Sequence, residues 1–244
     1  MLGIIPARYG STRLEAKALA KIHEKPMIQW VWEGARRSRI LSQSGNGVTV
    51  ATDDVRIQAV VQSFGGRVVL TDPSIRSGTD RVAAVAKQED ADLYVNIQGD
   101  EPMMRGEVID AALELVLSGR FSMATAMTTL KSREELINPN TVKVLADRNG
   151  RALYFSRYPI PYSRLAPQEA CEPFVCKKHL GLYVFRKDTL SLFSSSPAWE
   201  GELGESLEQL RALYLGIPLG VAEVGFDSIG VDTAEDLEKV RKIL

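Results

Sequence analysis

Cysteine and histidine are both scarce, with two of each in 244 residues. Cys171 and Cys176 lack the paired spacing of a zinc ribbon and read as two reduced thiols. His23 and His179 are too few for a histidine-rich metal site. An excess of one charge is also missing: 30 Lys and Arg stand against 31 Asp and Glu, for a formal net charge of −1. Bulk electrostatics therefore advertise neither nucleic acid nor a membrane surface as partner, and any anionic ligand must be held by locally placed cations. No stretch approaches the roughly 18 continuous apolar residues that a membrane helix needs, so no membrane insertion is expected. The opening Met1-Leu2-Gly3-Ile4-Ile5-Pro6 is too short an apolar run for a secretory signal and has no basic lead-in, which leaves a cytoplasmic protein as the expectation.

What is present is an ordinary globular composition, 45% hydrophobic and 25% charged, in a chain long enough to bury a sizeable core. Short apolar runs alternate with helix-periodic segments, which predicts an α/β fold. Strands are expected at Leu2–Ile5, Val48–Thr52, Arg67–Leu70, Leu93–Gln98, Gly181–Phe185 and near Leu219–Val224. Helices are expected at Pro26–Arg37, Asp53–Phe64, Thr79–Lys87, Glu107–Leu117, Glu205–Tyr214 and Ala234–Leu244. Asn149-Gly150 between Val142–Leu145 and Ala152–Phe155 signals a hairpin, followed by an irregular stretch from Pro159 to Pro173. No internal repeat or low-complexity linker interrupts the chain. The simplest account is one domain over residues 1–244 with an inserted, partly antiparallel portion at about 142–185.

In open α/β sheets, ligands bind beyond the carboxyl ends of the strands, and the chemistry-bearing residues fall there repeatedly. After the first strand, Arg8, Arg13 and Lys17 surround a Gly10-Ser11-Thr12 turn, whose amides could face phosphate oxygens. The segment is neither a Walker A motif nor a dinucleotide fingerprint. Ala51-Thr52-Asp53-Asp54 opens a helix and by itself reads as a cap before a ligand site, whereas Ser77-Gly78-Thr79-Asp80-Arg81 opens another and reads equally as a cap or as an anion site. The sharpest signal is Asn96-Ile97-Gln98-Gly99-Asp100-Glu101-Pro102, where polar groups directly follow a buried run and a glycine permits close ligand approach. Asp100 at a strand end is a natural Mg²⁺ ligand, since that ion prefers one or two carboxylates with phosphate and water. Asp232, in Gly230-Val231-Asp232-Thr233, is a second candidate or simply a helix cap.

These segments resemble the CMP-Kdo synthetase family. The likeness is carried by Ile5–Leu14, Ala51–Asp54, Ser77–Arg81, Asn96–Pro102, Ala152–Arg157, Lys178–Tyr183, Leu207–Arg211 and Gly230–Thr233, in the family's order. It implies a Rossmann-like mixed sheet of the nucleotide-diphospho-sugar transferase type, with the inserted portion serving dimerisation. It also implies transfer of CMP from CTP to the acidic sugar Kdo, releasing pyrophosphate, for lipopolysaccharide or capsule biosynthesis, by a Mg²⁺-dependent homodimer. Arg8, the Gly10, Ser11 and Thr12 amides and Lys17 would hold the CTP phosphates. Thr52, Asp53, Ser77, Thr79 and Arg81 would line the cytidine pocket, and Asp100 and Asp232 would hold the metal. Gln98, Arg157, His179, Tyr183, Glu208 and Gln209 would surround Kdo, with Arg157 facing its carboxylate. Without the resemblance, Arg157 reads as a surface arginine, His179 as a satisfied strand-end histidine, and Glu208-Gln209 as an exposed helix face.

Three rival readings remain open to the sequence. A CMP-sialate synthetase is the nearest, although the Tyr154–Arg157 and Lys178–Gly181 blocks favour Kdo. A nucleotide-sugar-dependent glycosyltransferase would place metal-binding Asp-x-Asp at a strand's end, and Asp90-Ala91-Asp92 precedes its strand instead. A non-catalytic nucleotide-binding regulator would leave the sugar-side residues without a purpose. One segment departs from the family. Its phosphate loop usually continues Leu-Pro-Gly-Lys-Pro-Leu, whereas here it reads Leu14-Glu15-Ala16-Lys17-Ala18-Leu19. That predicts either a more helical loop with Glu15 turned to solvent or a loop that is disordered without CTP.

Overall fold

The structure is a computed structural model and describes residues 1–10, 14–162 and 175–244. In chain order, β1 (Leu2–Ala7) leads to a single 3-10 turn (Lys17–Leu19), the short strands β2 (Lys21–Ile22) and β3 (Lys25–Pro26), α1 (Met27–Arg36) and α2 (Arg39–Gln43). Then come β4 (Val48–Thr52), α3 (Val55–Ser63), β5 (Arg67–Leu70), α4 (Gly78–Ala86), β6 (Leu93–Ile97) and α5 (Gly106–Leu117). The second half adds β7 (Met123–Thr128), α6 (Arg133–Ile137), β8 (Lys143–Ala146), β9 (Ala152–Ser156) and the long β10 (Lys177–Arg186). It ends with α7 (Lys187–Ser195), α8 (Glu200–Glu205), α9 (Gln209–Tyr214), β11 (Leu219–Glu223) and α10 (Ala234–Ile243).

The main sheet runs β11-β7-β10-β6-β1-β4-β5, with β8 and β9 continuing off β10. Strands β6, β1, β4 and β5 are mutually parallel, while β10 runs antiparallel between β6 and β7. Side-chain alternation explains the two-layered core. Leu93, Val95 and Ile97 face one cluster with α1, α2, α3 and α5, while Tyr94 faces a second with α4, α7 and α9. Each fully buried Leu, Ile or Val contributes about 1.5–3 kcal/mol relative to exposure. The next residue on the second face is Asn96, also buried, so the polar substitution marks where packing gives way to function.

Helix starts follow local chemistry. Ser38, Asp54, Ser77, Ser132 and Thr233 each accept a hydrogen bond from a first-turn amide, a contact worth about 1 kcal/mol. Asp110 on α5 supports α2 as well, accepting from the Ser38 hydroxyl and the Arg39 and Ile40 amides. A small third cluster of Ile22, Met27, Val231, Leu237 and Val240 seats α10 against the β2–β3 pair.

The structure departs from the sequence-based expectation in several places. The strand β7, the short strands β2 and β3, and the helices α2, α6, α7 and α8 occupy segments where none was expected. The helix expected over Glu205–Tyr214 begins only at Gln209, and Ser206, left-handed at φ 51°, ends the preceding α8 at Glu205. Strand β10 extends four residues before the predicted start, through Lys177, Lys178, His179 and Leu180.

Candidate active site

The loops after β1, β6 and β11 meet over the carboxyl ends of the parallel strands. They enclose a cleft of about 340 Å³ lined by residues including Arg8, Gly10, Lys17, Arg81, Gln98, Asp100 and Asp232. Arg8 is exposed there. Lys17 crosses the cleft floor, its Nζ 2.6 Å from Asp100 Oδ2 and 3.1 Å from Asp232 Oδ1. Burial works to lower the Lys17 pKa, but the two carboxylates outweigh it and hold the ammonium above its ordinary value. The cap of α10 falls to Thr233 rather than Asp232, so the Asp232 carboxylate is available to meet Lys17. Ser11 and Thr12, expected to hold phosphate with Gly10, lie outside the described residues.

The two aspartates are held in register from behind. The Val231 amide donates to the Asp100 carbonyl at 2.8 Å, and the Ser228 hydroxyl donates to Glu101. Burial lifts the Glu101 carboxyl to about 7, against the stabilising Ser228 contact. Gly99 is needed for a reason other than the expected ligand approach. A Cβ there would lie 2.6 Å from the Pro6 carbonyl oxygen, so the glycine lets β6's loop cross β1's end.

On the expected cytidine side, Arg81 is fully buried. Its guanidinium meets Asp53 at 2.9 Å, the Ile75 carbonyl at 3.1 Å, and the Thr71 hydroxyl. Burial lowers its pKa, with Asp53 opposing and nearby Arg8 reinforcing the shift. Thr52 is buried and turned away, accepting from the Asp54 amide at 3.3 Å. Ser77 caps α4, placing Gly78 and the first turn of the helix at the cleft.

The expected sugar side is a neutral network across the sheet's second face. Asn96 donates to the Thr79 hydroxyl at 3.0 Å, and Thr79 donates to Glu208 at 2.6 Å. Tyr183 donates to Gln209 at 2.9 Å. Burial raises the Glu208 and Tyr183 pKa values and holds that of His179 down to about 3. Asn96 Oδ1 and Gln209 Nε2 are buried without a hydrogen-bond partner among the described residues. Both are natural contacts for a polyhydroxylated ligand or its water. Arg157 is placed differently. Its guanidinium donates to the carbonyls of Glu205, Pro139 and Ser206, bracing the α8–α9 junction. Asn96 and Glu101 were not expected as site residues. For Asn96 the signal was present, a polar residue on the buried phase of β6.

The family model for cytidylyltransferases matches residues 2–221. The 3-deoxy-manno-octulosonate cytidylyltransferase of Bdellovibrio bacteriovorus is 45% identical over 245 residues, covering 100% of this chain and 97% of its own. The enzyme of the same name from Geobacter metallireducens is 47% identical, covering 97% and 94%. The chain belongs to the 3-deoxy-manno-octulosonate cytidylyltransferase family. A solved structure of CMP:2-keto-3-deoxy-manno-octonic acid synthetase complexed with CTP superposes with a TM-score of 0.88 at 42% identity, covering 99% of this chain and 97% of that one. A cytidylyltransferase from Leptospira borgpetersenii, at 17% identity and a TM-score of 0.62, shares the fold. The Asp90-Ala91-Asp92 triplet lies at the end of β6 opposite the cleft, where Asp90 pairs with Lys187.

Proposed function

We propose that the chain transfers CMP from CTP to Kdo, giving CMP-Kdo and pyrophosphate. The observation that carries this reading is the meeting of Lys17, Asp100 and Asp232, separated by 83 and 215 residues, in one cleft of a chain full-length similar to Kdo cytidylyltransferases. In the reaction the anomeric hydroxyl of Kdo attacks the α-phosphorus. A new P–O bond forms, the bond to the bridging oxygen breaks, the hydroxyl proton is released, and pyrophosphate leaves. Such displacements depend on alignment and on neutralising spread negative charge. Arg8, Lys17 and the amides at Gly10 and the α4 N-terminus are suited to that task.

Asp100 and Asp232 fit Mg²⁺ by the chemistry of their donor set. Two partly exposed carboxylates already share one cation, and both open to a cleft where phosphate oxygens and water could complete a shell. Among the described residues no three acidic, His or Cys side chains form a closed cage, which suits an ion bound together with its nucleotide. When bound, Mg²⁺ would supply charge neutralisation at the phosphates and lower the pKa of a bound hydroxyl. Lys17 would then turn from the carboxylates toward phosphate.

The neutral network would hold Kdo through Gln98, His179, Tyr183, Glu208 and Gln209, whereas Arg157 would have to release a carbonyl to reach the sugar carboxylate. We further propose a cytoplasmic homodimer feeding lipopolysaccharide or capsule assembly. The family resemblance supports this, and no helix of the described residues is long and apolar enough to cross a membrane. Pyrophosphate release measured with each nucleoside triphosphate, with and without Kdo and Mg²⁺, tests the reading. Release that is independent of Kdo, or equal with a sialic acid, would overturn it.

A further inference from the structure

The Thr125 hydroxyl has one proton and three neighbours. Its oxygen lies 2.6 Å from the Leu182 carbonyl, 3.3 Å from the Leu180 carbonyl and 2.8 Å from His179 Nε2. Carbonyl oxygens only accept, so the single proton goes to a carbonyl, and Leu182 is the nearer. The Thr125 oxygen therefore meets His179 with lone pairs alone. That contact is a hydrogen bond only when Nε2 carries the hydrogen, and in a neutral imidazole this leaves Nδ1 as a bare acceptor.

The backbone explains why Thr125 stands there. Strand β10 bulges against β7, pairing Leu180 with Ala126 and then Val184 with Ala124, so three residues of β10 pass the single Thr125. Bulges re-aim side chains and interrupt the ladder, and here the Thr125 hydroxyl takes up a carbonyl within the interruption. Gly181, inside the bulge, lies against the cleft loop: a Cβ there would meet Gln98 Cγ at 3.1 Å and Glu101 Oε1 at 3.3 Å. The His179 ring is further confined by Phe155, edge-on at 5.1 Å, and by Tyr183 at 5.6 Å. Burial favours its neutral form. Among the described residues the ring makes no other hydrogen bond.

We propose that Thr125 is a positioning residue that fixes His179 as the Nε2–H tautomer, so that Nδ1 accepts a hydrogen bond from a hydroxyl of the sugar substrate. The identity of that hydroxyl's owner rests on the Kdo reading, but the tautomer does not. A histidine so locked discriminates by geometry: it accepts from a hydroxyl and rejects a group that can only accept.

With two histidines in the chain, and His23 exposed on the β2–β3 turn, the imidazole nitrogen NMR spectrum of isotope-labelled protein is readily assigned. Near neutral pH the wild type should show a neutral His179 with pyrrole-like Nε2 and pyridine-like Nδ1. Thr125→Val, which keeps the shape and removes the hydroxyl, should yield a tautomer mixture. It should also raise the KM for Kdo about tenfold, leaving the KM for CTP unchanged, as loss of one oriented hydrogen bond implies. Thr125→Ser should restore both the spectrum and the KM. A wild-type ring that is Nδ1–H or charged overturns the proposal even if Thr125→Val fails to fold. So does a Thr125→Val enzyme whose spectrum and KM for Kdo are both unaltered. Should the enzyme refuse Kdo altogether, the substrate reading falls, while the wild-type spectrum still decides the tautomer.

Discussion

The two halves of the proposed site are built on opposite electrostatic plans. On the proposed nucleotide side, charges meet charges: Lys17 with Asp100 and Asp232, and Arg81 with Asp53. On the proposed sugar side, Asn96, Thr79, Tyr183, Gln209, Thr125 and His179 form hydrogen bonds with one another and with Glu208, and burial favours the neutral forms of the ionisable Glu208, Tyr183 and His179. The difference matches what each side must accommodate. A polyphosphate and a metal would bring several charges, and ion pairs at the site can exchange partners with them. A sugar brings hydroxyls, so the protein keeps a preorganised set of oriented donors and acceptors, for which specificity comes from leaving a polar atom unpaired with the wrong ligand.

The largest effect should come from breaking the charged half. Asp100→Asn and Asp232→Asn should each lower turnover by about 10²–10³, the loss typical of one stabilising group in a preorganised site. Their circular dichroism should stay native. Lys17→Met should lower turnover too, but it carries a second readout without substrates. It removes the internal cation from the two aspartates, so the ligand-free variant should bind Mn²⁺ more tightly than wild type by calorimetry. Equal Mn²⁺ binding would show that Lys17 does not compete for the carboxylates, and the partner-exchange view of this half would fail.

A smaller effect should separate the neutral half by pH. The His179 pKa is lowered from 6.5 to about 3 by burial. Between those values the unfolded chain takes up the proton more readily, so stability due to neutral His179 is complete above pH 6.5 and is lost as pH falls toward 3. The slope is at most about 1.4 kcal/mol per pH unit. Glu101 has the opposite sign in an overlapping window. Its pKa is raised from 4.5 to about 7, so its contribution is complete below pH 4.5 and lost as pH rises through 7. The wild-type profile blends the two, and the informative quantity is a difference. Between about pH 7 and about pH 5, His179→Gln should lose less stability than wild type in denaturant titrations, by about 2 kcal/mol. Parallel profiles would mean that the ring is not held neutral, which would erase the contrast between the halves.

Much of this arrangement is legible in the sequence where local signals agree. Val48–Thr52 and Arg67–Leu70 are strands at the limits their apolar runs suggest, and Asp100 sits where a buried run ends. Strand β7 is hidden because Met123-Ala124-Thr125-Ala126-Met127-Thr128 is rich in small residues without strong strand preference. Its strand character comes from burial between β10 and β11. The start of β10 is hidden by Lys177 and Lys178, whose charges are met by Glu223 and by Asp227 and Glu135. The carbonyl partners of Arg157 were illegible because they belong to Glu205 and Ser206, almost fifty residues on, while its expected sugar contact came from the family resemblance alone. Thr125 was invisible for the same reason, since its function depends on a bulge in another strand.

The smallest effect concerns the loop that supplies Lys17. The family's usual glycine is here Ala16, which takes the left-handed conformation at φ 50° and ψ 33° as it caps the 3-10 turn carrying Lys17. The turn is nonetheless tied down: the Ala16 amide donates to Tyr9 at 3.2 Å, and the Leu19 amide donates to Ala16 at 2.7 Å. Glu15 is exposed and interacts favourably with the charge of Arg56, which itself lies over the Tyr9 ring at 3.3 Å. A left-handed alanine costs roughly 1–2 kcal/mol relative to glycine. Glycine returns about 0.4–1 kcal/mol of that through the greater entropy of its unfolded chain. Ala16→Gly should therefore stabilise the protein by about 0.5–1 kcal/mol in denaturant titration. Because the substitution touches only the charged half's loop, it should alter CTP affinity by no more than about twofold and leave the KM for Kdo unchanged. A loss of stability would show that Ala16 is not held in the left-handed region in solution. A clear rise in CTP affinity would mean that the ligand-free loop spends much of its time away from this turn, leaving Lys17 a less constant occupant of the aspartate pair.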